Sequence, residues 1–284
     1  MNNQNKPDVI SLIKRAIDLA IEEDVWSGDI TTNSIVSQTK IATAYLIMKA
    51  NGVISGLDII KEVFLRFDNN LVWKPFFSDG DYVKSKDVIL EITANHRALL
   101  TAERTALNIL QRMSGIATET SLYVKELERT KTKILDTRKT VPGLRVLDKL
   151  AVKHGGGTNH RMGLYDMVMI KDNHIKIAGS ITKAVEQIRQ INGCGMKIEV
   201  ETTNLEQVKE ALDCNVDIIM LDNMSCDQMI KAVMLISDRA KIEASGNMTL
   251  SRVKEVALTG VDYISVGALT HSVTALDISM NIKD

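Results

Sequence analysis

The hydrophobic pattern of the chain changes near residue 132. Before that point, apolar residues recur at helical spacing in "DVISLIKRAIDLAIEED" and "RALLTAERTALNILQRM", and "TAYLIMKANGVISG" has the pattern of a strand followed by a turn. The first helix is expected to bury one apolar stripe, formed by Ile10, Ile13, Ala16, Ala20 and Ile21. This mixture predicts an α+β module in about the first 115 residues.

Beyond that point, short apolar runs alternate with helical stretches. The runs are "KILDT", "MVMIK", "MKIEVET", "VDIIMLD", "AKIEASG" and "VDYISVG". Two of the intervening helices carry start signals at capping-box spacing, Asn204 with Gln207 and Ser225 with Gln228. Such alternation is typical of βα units, and it predicts a parallel sheet of about six strands.

Two of these strands have one charged face. In "KIEVET" and "KIEAS", the apolar residues share one face of the strand and the charged ones share the other, because side chains alternate with period two. The charged positions are Lys197, Glu199, Glu201, Lys241 and Glu243. A half-exposed edge strand explains either strand alone, but together the two favour a barrel with a charged interior. We therefore expect an α/β fold with an incomplete, TIM-like barrel, short of the eight strands of a full one.

Composition and charge exclude several classes of protein. Hydrophobic residues make up 45% of the 284 residues and aromatic ones only 4%, which indicates an aliphatic core. The net charge of -1 provides no general basic field for nucleic acid or an anionic membrane, so any anion site has to be local. Three cysteines without C-x-x-C spacing argue against a disulfide framework or a zinc site. With no signal-like start and no long apolar run, we expect a cytoplasmic protein without a nucleic-acid or membrane partner.

The predicted strand ends are the place to look for a site, because barrel enzymes build their sites at the carboxyl face of the sheet. All six ends are polar or glycine: Thr137, Arg138 and Lys139; Lys171; Glu201; Asp222; Ser245 and Gly246; and Gly267. The turn "HGGGTNHRMGLYD" adds His160 and Arg161. A single Lys or Asp at such a place is commonly a solvated loop residue, and a helix C-cap explains one of the three glycines.

These side chains indicate a polyanionic ligand. Arginine forks and lysine ammonium groups suit carboxylates and phosphates, and four of them gather here beside His160. Glu201 and Asp222 on the other side would repel such a ligand unless they hold a divalent cation or face a positive reacting centre. A sugar pyrophosphate with Mg²⁺ satisfies both sides. "ASGN" and "SVGA" place small residues and backbone N–H groups where a phosphate is commonly held.

The segment "ILDTRKTVPGLRVLDKLAVKHGGGTNHRMGLYDMVMIKDNH" closely resembles the quinolinate phosphoribosyltransferase family, also called carboxylating nicotinate-nucleotide pyrophosphorylases. The resemblance extends to "EEDVWSGDITT", "AERTALNILQRMSGIAT", "EASGN" and "ISVGALTHSVTALDIS". It implies an N-terminal α/β sandwich domain over residues 1–115, a barrel domain over 116–270 and a C-terminal segment, 271–284, that returns to the N-terminal domain. The implied reaction converts quinolinate and phosphoribosyl pyrophosphate, with Mg²⁺, into nicotinate mononucleotide, CO₂ and pyrophosphate.

The resemblance also implies roles for individual residues. Around the quinolinate carboxylates it places Arg104, Arg138, His160, Arg161 and Lys171. Around phosphoribosyl pyrophosphate it places Lys139, Lys171, Glu201, Asp222, Ser245, Gly246, Asn247, Val266, Gly267 and Ala268. Thr137 is expected to bind substrate, without assignment to one of the two. Lys139, Lys171, Glu201 and Asp222 are implied to be catalytic, and the two acids to hold Mg²⁺ partly through substrate and water. The family further implies a homodimer or higher homo-oligomer in which the neighbouring subunit lends Arg104, although a surface ion pair with Glu103 is the simpler interpretation of that helix.

Three other functions stay open. A relative with the same fold transfers phosphoribose to a base that keeps its carboxylate. A barrel aldolase would form an imine on Lys171, which ends a predicted strand as Schiff-base lysines do. A binding protein would hold the polyanion without turnover.

Overall fold

The computed structural model describes residues 8–193 and 195–283, without the side chain of Asn192. The chain forms two compact units within these residues. The first, which we call the N-terminal unit, comprises residues 8–121, 140–156 and 270–283; the second, the barrel unit, comprises 122–139 and 157–269. Within the described ranges, no helix is both long and apolar enough to cross a lipid bilayer.

Along the chain, the helices and strands are α1 (Val9–Val25), α2 (Ile30–Ile35), β1 (Ile41–Met48), β2 (Gly52–Val53), α3 (Leu57–Leu65), β3 (Val72–Pro75), β4 (Tyr82–Val83), β5 (Val88–Asn95), α4 (His96–Glu126), β6 (Lys133–Leu135), α5 (Arg145–His154), β7 (Val168–Ile170), α6 (Asp172–Ala178), α7 (Ile181–Asn192), β8 (Ile198–Thr202), α8 (Leu205–Asp213), β9 (Ile218–Asp222), α9 (Cys226–Ile236), β10 (Lys241–Ser245), α10 (Val253–Ala257), β11 (Tyr263–Ser265), α11 (Ala268–His271) and β12 (Ile278–Lys283).

The N-terminal unit contains an antiparallel sheet in the order β12-β1-β5-β3. Alternate residues of β1, from Ala42 to Met48, are buried, as a sheet with one covered face requires. The last strand pairs with β1, so the C-terminal segment joins this unit as expected. In α1, the expected stripe is partly wrong: Ile10 is 61% exposed, whereas Ile17 is fully buried beside Ala16. Ile13, Ala20 and Ile21 are half-buried, so the predicted stripe is present beyond the first turn of the helix and also includes Ile17.

The barrel unit contains six parallel strands in the order β6-β11-β10-β9-β8-β7. Strands that follow one another in the chain are neighbours, except β6 and β7, and the first strand pairs with the last. This is the strand order of a barrel that is open between β6 and β7, so the predicted incomplete barrel is confirmed. Both predicted helix starts are also present, since Asn204 and Ser225 accept the N–H groups of Gln207 and Gln228.

The expected domain boundaries differ from the units that the structure shows. Residue 115 lies inside α4, which runs on to Glu126, and residues 140–156 belong to the N-terminal unit. The cause is long-range packing of α5 on α4. Arg112 donates two hydrogen bonds to the fully buried carboxylate of Asp148, at 2.9 and 2.8 Å, and a Cβ atom at Gly155 would collide with the backbone oxygen of Ala117.

Candidate active site

The strand register of the barrel unit brings the predicted site residues onto one face. Paired residues in adjacent parallel strands point to the same side, and the pairs Met169 with Glu199, Glu201 with Met220, and Met220 with Glu243 define that side on β7 to β10. Counting two residues onward along the strands places Lys171, Glu201, Asp222 and Ser245 together at their carboxyl ends. The sequence-based grouping of these four side chains is therefore present in the fold.

The turn "HGGGTNHRMGLYD" lies beside β6, on the open side of the barrel. Thr158 pairs with Leu135 as a parallel bridge, so the turn extends the sheet by one residue where a further strand would otherwise pair. Two of its glycines are needed for different reasons. Gly155 packs closely against the backbone of Ala117, and Gly156 has φ of 85°, which favours glycine. A simple helix C-cap does not account for both.

Arg161 and Arg138 hold positive charge at this end of the sheet. Nη1 of Arg161 donates to the backbone oxygen of Met167 at 2.9 Å, which fixes one edge of the guanidinium. Burial and the charge of Arg138 lower the pKa of Arg161 below its ordinary value, so the two cations act on each other. Arg138 and Lys139 are exposed. Two neighbouring cations that repel each other favour an anion between or beside them.

Lys171 and Glu201 form an ion pair at the ends of β7 and β8. Lys171 Nζ lies 3.3 Å from Glu201 Oε2, and the lysine side chain is 46% exposed. One carboxylate oxygen is thus engaged by a cation of the neighbouring strand. The pair marks the border between the basic side of the site and the acidic side.

The acidic side continues into the turns after β9 and β10. Asp222 Oδ2 accepts a hydrogen bond from Asn223 Nδ2 at 2.7 Å, and Asn247 Nδ2 donates to Asn223 Oδ1 at 3.3 Å. Gly246 has φ of 94°, and a Cβ atom there would collide with the Asn223 side chain. Arg252 Nη1 donates to the backbone oxygen of Gly246 at 3.1 Å. Arg252 was not among the predicted site residues, and its hydrogen bond to the backbone stabilises this turn.

The segment of Val266, Gly267 and Ala268 follows β11. Val266 is fully buried, and its N–H donates to the backbone oxygen of Leu135 on β6 at 2.9 Å. Gly267 and Ala268 are half-buried, and α11 begins at Ala268. The predicted phosphate segments after β10 and β11 thus lie at the same end of two adjacent strands.

Glu201 and Asp222 fit Mg²⁺ by donor type. Both carboxylates are half-buried and lie at the ends of adjacent strands on the same face of the sheet. Mg²⁺ in proteins is commonly bound by one or two carboxylates together with substrate phosphates and water. The carboxylates of Glu201 and Asp222 match this coordination preference.

Beneath the strand ends lies a set of buried ionisable groups, which we call the interior cluster: His160, Glu199 and Glu243. His160 Nε2 lies 3.0 Å from Glu199 Oε2 and 3.5 Å from Glu243 Oε2. The two glutamates are 0% and 1% exposed, so the predicted charged interior is present. Lys197, which directly precedes β8, and Lys241, the first residue of β10, are exposed and do not join it.

The ring of His160 also meets the backbone of the turn. The N–H of Arg161 donates to His160 Nδ1 at 2.7 Å. Burial lowers the pKa of His160, but the two neighbouring glutamates outweigh it and raise that pKa above its ordinary value. Because Nδ1 accepts the Arg161 N–H, a ring proton lies on Nε2, where it faces the carboxylates of Glu199 and Glu243. Burial and the charge of Glu243 raise the pKa of Glu199 to about 7.

Asp136 connects the turn to β6 and was missed as a candidate. It is fully buried and accepts hydrogen bonds from Asn159 Nδ2 at 2.6 Å and from the N–H of His160 at 2.8 Å. The signal was an acid directly after an apolar strand, in "ILDT", followed by a polar turn. Arg104, by contrast, is exposed on α4 in the N-terminal unit, and its expected role across a subunit interface stays a prediction.

Comparisons with known proteins agree over almost the whole chain. The models of the quinolinate phosphoribosyl transferase N-terminal and C-terminal domains match residues 29–114 and 116–281. A probable carboxylating nicotinate-nucleotide pyrophosphorylase of Bacillus subtilis (strain 168) is 44% identical over 270 residues, covering 95% of this chain and 93% of that protein. The solved structure of NadC from Streptococcus pyogenes has a TM-score of 0.92 at 42% identity and covers 99% and 100% of the two chains.

A second solved structure gives the same result. The nicotinate-nucleotide pyrophosphorylase from Francisella tularensis has a TM-score of 0.90 at 38% identity, and the match covers 100% of both chains. Fold, site arrangement and similarity over both domains lead to one assignment. The chain belongs to the quinolinate phosphoribosyltransferase family.

Proposed function

We propose that this chain is a decarboxylating quinolinate phosphoribosyltransferase, which forms nicotinate mononucleotide, CO₂ and pyrophosphate from quinolinate and phosphoribosyl pyrophosphate. Family membership over both domains supports the reaction. The observation that carries the proposal is the arrangement of opposite charges at one end of one sheet, with Arg138 and Arg161 on the basic side and Glu201 and Asp222 on the acidic side.

The basic side is suited to quinolinate. A planar guanidinium binds a carboxylate through two parallel hydrogen bonds, and Arg161 is already fixed along one edge by Met167. Arg138 and Lys171 add charge for the second carboxylate. Their role is to orient the pyridine nitrogen toward the ribose, and such positioning is a large part of many catalytic effects.

The acidic side is suited to phosphoribosyl pyrophosphate. Glu201 and Asp222 would hold Mg²⁺, which supplies charge neutralisation for the leaving pyrophosphate. Lys139 would bind the pyrophosphate, and the turns at Ser245–Asn247 and Val266–Ala268 would bind the ribose phosphate through backbone N–H groups. Glu201 and Asp222 would also face the sugar carbon, where positive charge develops as the bond to pyrophosphate breaks.

The reaction proceeds in two parts in this proposal. The pyridine nitrogen forms a bond to ribose C1 as pyrophosphate leaves with the electrons of the old bond. The ring nitrogen is then cationic and stabilises the electron pair left on the adjacent carbon when the 2-carboxylate departs as CO₂. A proton then takes that carbon position. Fixed charges of both signs, set in place before the reaction, serve the first part.

The direct test is turnover with quinolinate, phosphoribosyl pyrophosphate and Mg²⁺. We expect nicotinate mononucleotide and an equal amount of labelled CO₂ from quinolinate labelled in the 2-carboxylate. A phosphoribosylated product that retains the label would instead indicate the non-decarboxylating relative. Glu201→Gln should raise the Mg²⁺ concentration needed for half-maximal rate, and an unchanged Mg²⁺ dependence would contradict its role.

The ion pair of Lys171 argues against the aldolase. A Schiff-base lysine reacts as a free amine, whereas Glu201 at 3.3 Å stabilises the charged ammonium. Borohydride in the presence of a carbonyl substrate should therefore leave Lys171 unmodified.

We further propose a homodimer whose sites each include the neighbouring subunit's copy of Arg104. Symmetric dimers can share residues in this way, because the same surface recurs on both subunits. Mixing the impaired Arg104→Ala protein with the impaired Arg161→Ala protein should raise turnover above that of either alone if subunits exchange. Native mass spectrometry with one isotope-labelled protein checks the exchange, and mixed dimers without a gain in turnover would contradict the sharing.

A further inference from the structure

We propose that the interior cluster is a positioning device that fixes Arg161 for the carboxylate it binds. This inference rests on the function proposed above, because the ligand of Arg161 is taken to be quinolinate. The three side chains act through Arg161 and need no contact with substrate.

The ring of His160 connects the turn to the barrel interior. Its Nδ1 accepts the N–H of Arg161 at 2.7 Å, and its Nε2 lies 3.0 Å from Glu199. Only 7% of the side chain is exposed. The ring cannot rotate without breaking the hydrogen bond at Nδ1 and moving Nε2 away from Glu199, so it fixes the backbone of the next residue.

Arg161 is thereby held at three points. Its N–H is held by His160, its Nη1 by the backbone oxygen of Met167, and the charge of Glu199 acts on its guanidinium. Glu199 also offsets part of the repulsion from Arg138. The cluster therefore contributes both geometry and negative charge to a cation that would otherwise be pushed away from its neighbour.

The opposite side of the turn is held by Asp136. Its carboxylate accepts the N–H of His160 at 2.8 Å and the Asn159 side chain at 2.6 Å. Two successive backbone N–H groups, of His160 and Arg161, are thus bound by buried acceptors. The turn is glycine-rich, and these bonds supply the rigidity that its composition does not.

A metal site is the rival interpretation of the same atoms. One imidazole and two carboxylates, with ligand atoms within 4.8 Å of one another, form a possible ligand set for a divalent ion. The hydrogen bond from the Arg161 N–H to Nδ1 argues against it, because the ring proton then occupies Nε2, which faces the carboxylates. A metal on Nε2 would displace that proton, and the ring would then lack the N–H that a metal-bound imidazole normally donates from its other nitrogen.

The experiment separates positioning from direct contact and from a metal. The variants are Glu243→Gln, His160→Gln and His160→Asn, with Glu206→Gln as a matched control on the exposed first turn of α8. The Asn oxygen can still accept the Arg161 N–H, whereas Gln at 160 places its amide toward Glu199 and loses that acceptor. For each protein we would measure KM for both substrates, kcat, thermal unfolding and metal content by mass spectrometry.

We expect His160→Gln and Glu243→Gln to raise KM for quinolinate by about tenfold, the scale of one lost hydrogen bond, while KM for phosphoribosyl pyrophosphate changes by less than about twofold. His160→Asn should raise it less, by about threefold. Glu206→Gln should match the wild type. If Glu243→Gln fails to fold, the two His160 variants decide the question.

Several results would overturn the inference. An unchanged quinolinate KM in the folded Glu243→Gln protein, equal effects of Asn and Gln at position 160, or parallel changes in both KM values would each do so. Stoichiometric metal that is lost in Glu243→Gln would favour the metal site. A wild type without turnover would sink the proposed function and this inference together, whereas normal wild-type turnover with normal variants sinks the inference alone.

Discussion

The two ends of the parallel sheet carry similar charged groups, arranged differently. At the amino end, Lys241 pairs with Asp262 at 2.6 Å, and the other Asp262 oxygen accepts the N–H of Ile242 at 2.9 Å. Arg189 donates to the backbone oxygens of Cys214 and Asn215 at 2.7 and 2.8 Å. These charged groups bind partners within the protein.

At the carboxyl end the charges gather instead. Arg161 lies beside Arg138, and Lys171 pairs with Glu201 at the longer distance of 3.3 Å. Repulsion between like charges costs stability and is retained where a ligand offsets it. The same residue types therefore occur at both ends of the sheet, and their partners distinguish the charges that stabilise the fold from those available to a ligand.

The largest expected effect comes from a matched pair of arginines, each of which donates to backbone oxygens. Arg161→Ala should lower kcat/KM for quinolinate by about a hundredfold, which corresponds to about 2.7 kcal/mol of lost transition-state binding. Arg189→Ala should leave kcat/KM unchanged and lower the free energy of unfolding by about 1 to 2 kcal/mol. Steady-state kinetics and urea unfolding measure both. Near-native kinetics of Arg161→Ala would refute its assignment.

The second effect concerns Lys171 at the end of β7. Lys171→Met keeps the length of the side chain and removes the charge, so we expect kcat/KM to fall by about thirtyfold, the scale of a hydrogen bond to a charged group. Both substrates should be affected, because the residue lies between the basic and acidic sides. A fall confined to one substrate would place Lys171 on that side alone.

The sequence predicted the sheet but not the interior of the site. The six strands and their polar ends followed from period-two patterns, which are local. The position of α5 depends on the hydrogen bonds of Arg112 with Asp148. These residues are 36 positions apart, and no local sequence pattern predicts their pairing. Likewise, the contacts of His160 with Glu199 and Glu243 were not predicted, because they depend on the buried Asp136 that binds the turn, and an acid after a strand can equally be a solvated loop residue. The expected role of His160 beside substrate stays a prediction.

The third prediction compares alanine substitutions at two glycines with positive φ in turns of the barrel unit. Gly246 lies in the turn after β10, with φ of 94°, and Gly260 lies in the loop before β11, with φ of 95°. Alanine at either position should cost about 1 to 2 kcal/mol of stability through backbone strain. Only Gly246→Ala should also lower kcat/KM for phosphoribosyl pyrophosphate, by about tenfold, because its new Cβ displaces Asn223. Equal kinetics in the two folded variants would remove that turn from the site.

The smallest expected effect is on the free energy of unfolding of Lys241→Met, at the amino end of the sheet. This variant is the counterpart of Lys171→Met. The hydrogen bond to Asp262 and its charge raise the pKa of Lys241 above its ordinary value of 10.5. A raised lysine pKa means that the pair stabilises the fold below pH 10.5 and that this contribution is lost as the pH rises through the folded-state pKa. Because the lysine side chain is 61% exposed, solvent screening limits the contribution at pH 7 to about 0.5 kcal/mol.

Urea unfolding at pH 7 and at pH 11 measures the prediction for Lys241. The wild type should be slightly more stable than Lys241→Met at pH 7, and the difference should shrink at pH 11, while kcat/KM at pH 7 stays the same in both proteins. Loss of activity in Lys241→Met comparable to that in Lys171→Met would contradict the comparison itself. Function would then depend on the charge of a lysine on this sheet rather than on the end at which it lies, and the partners of the charge would no longer distinguish the two ends.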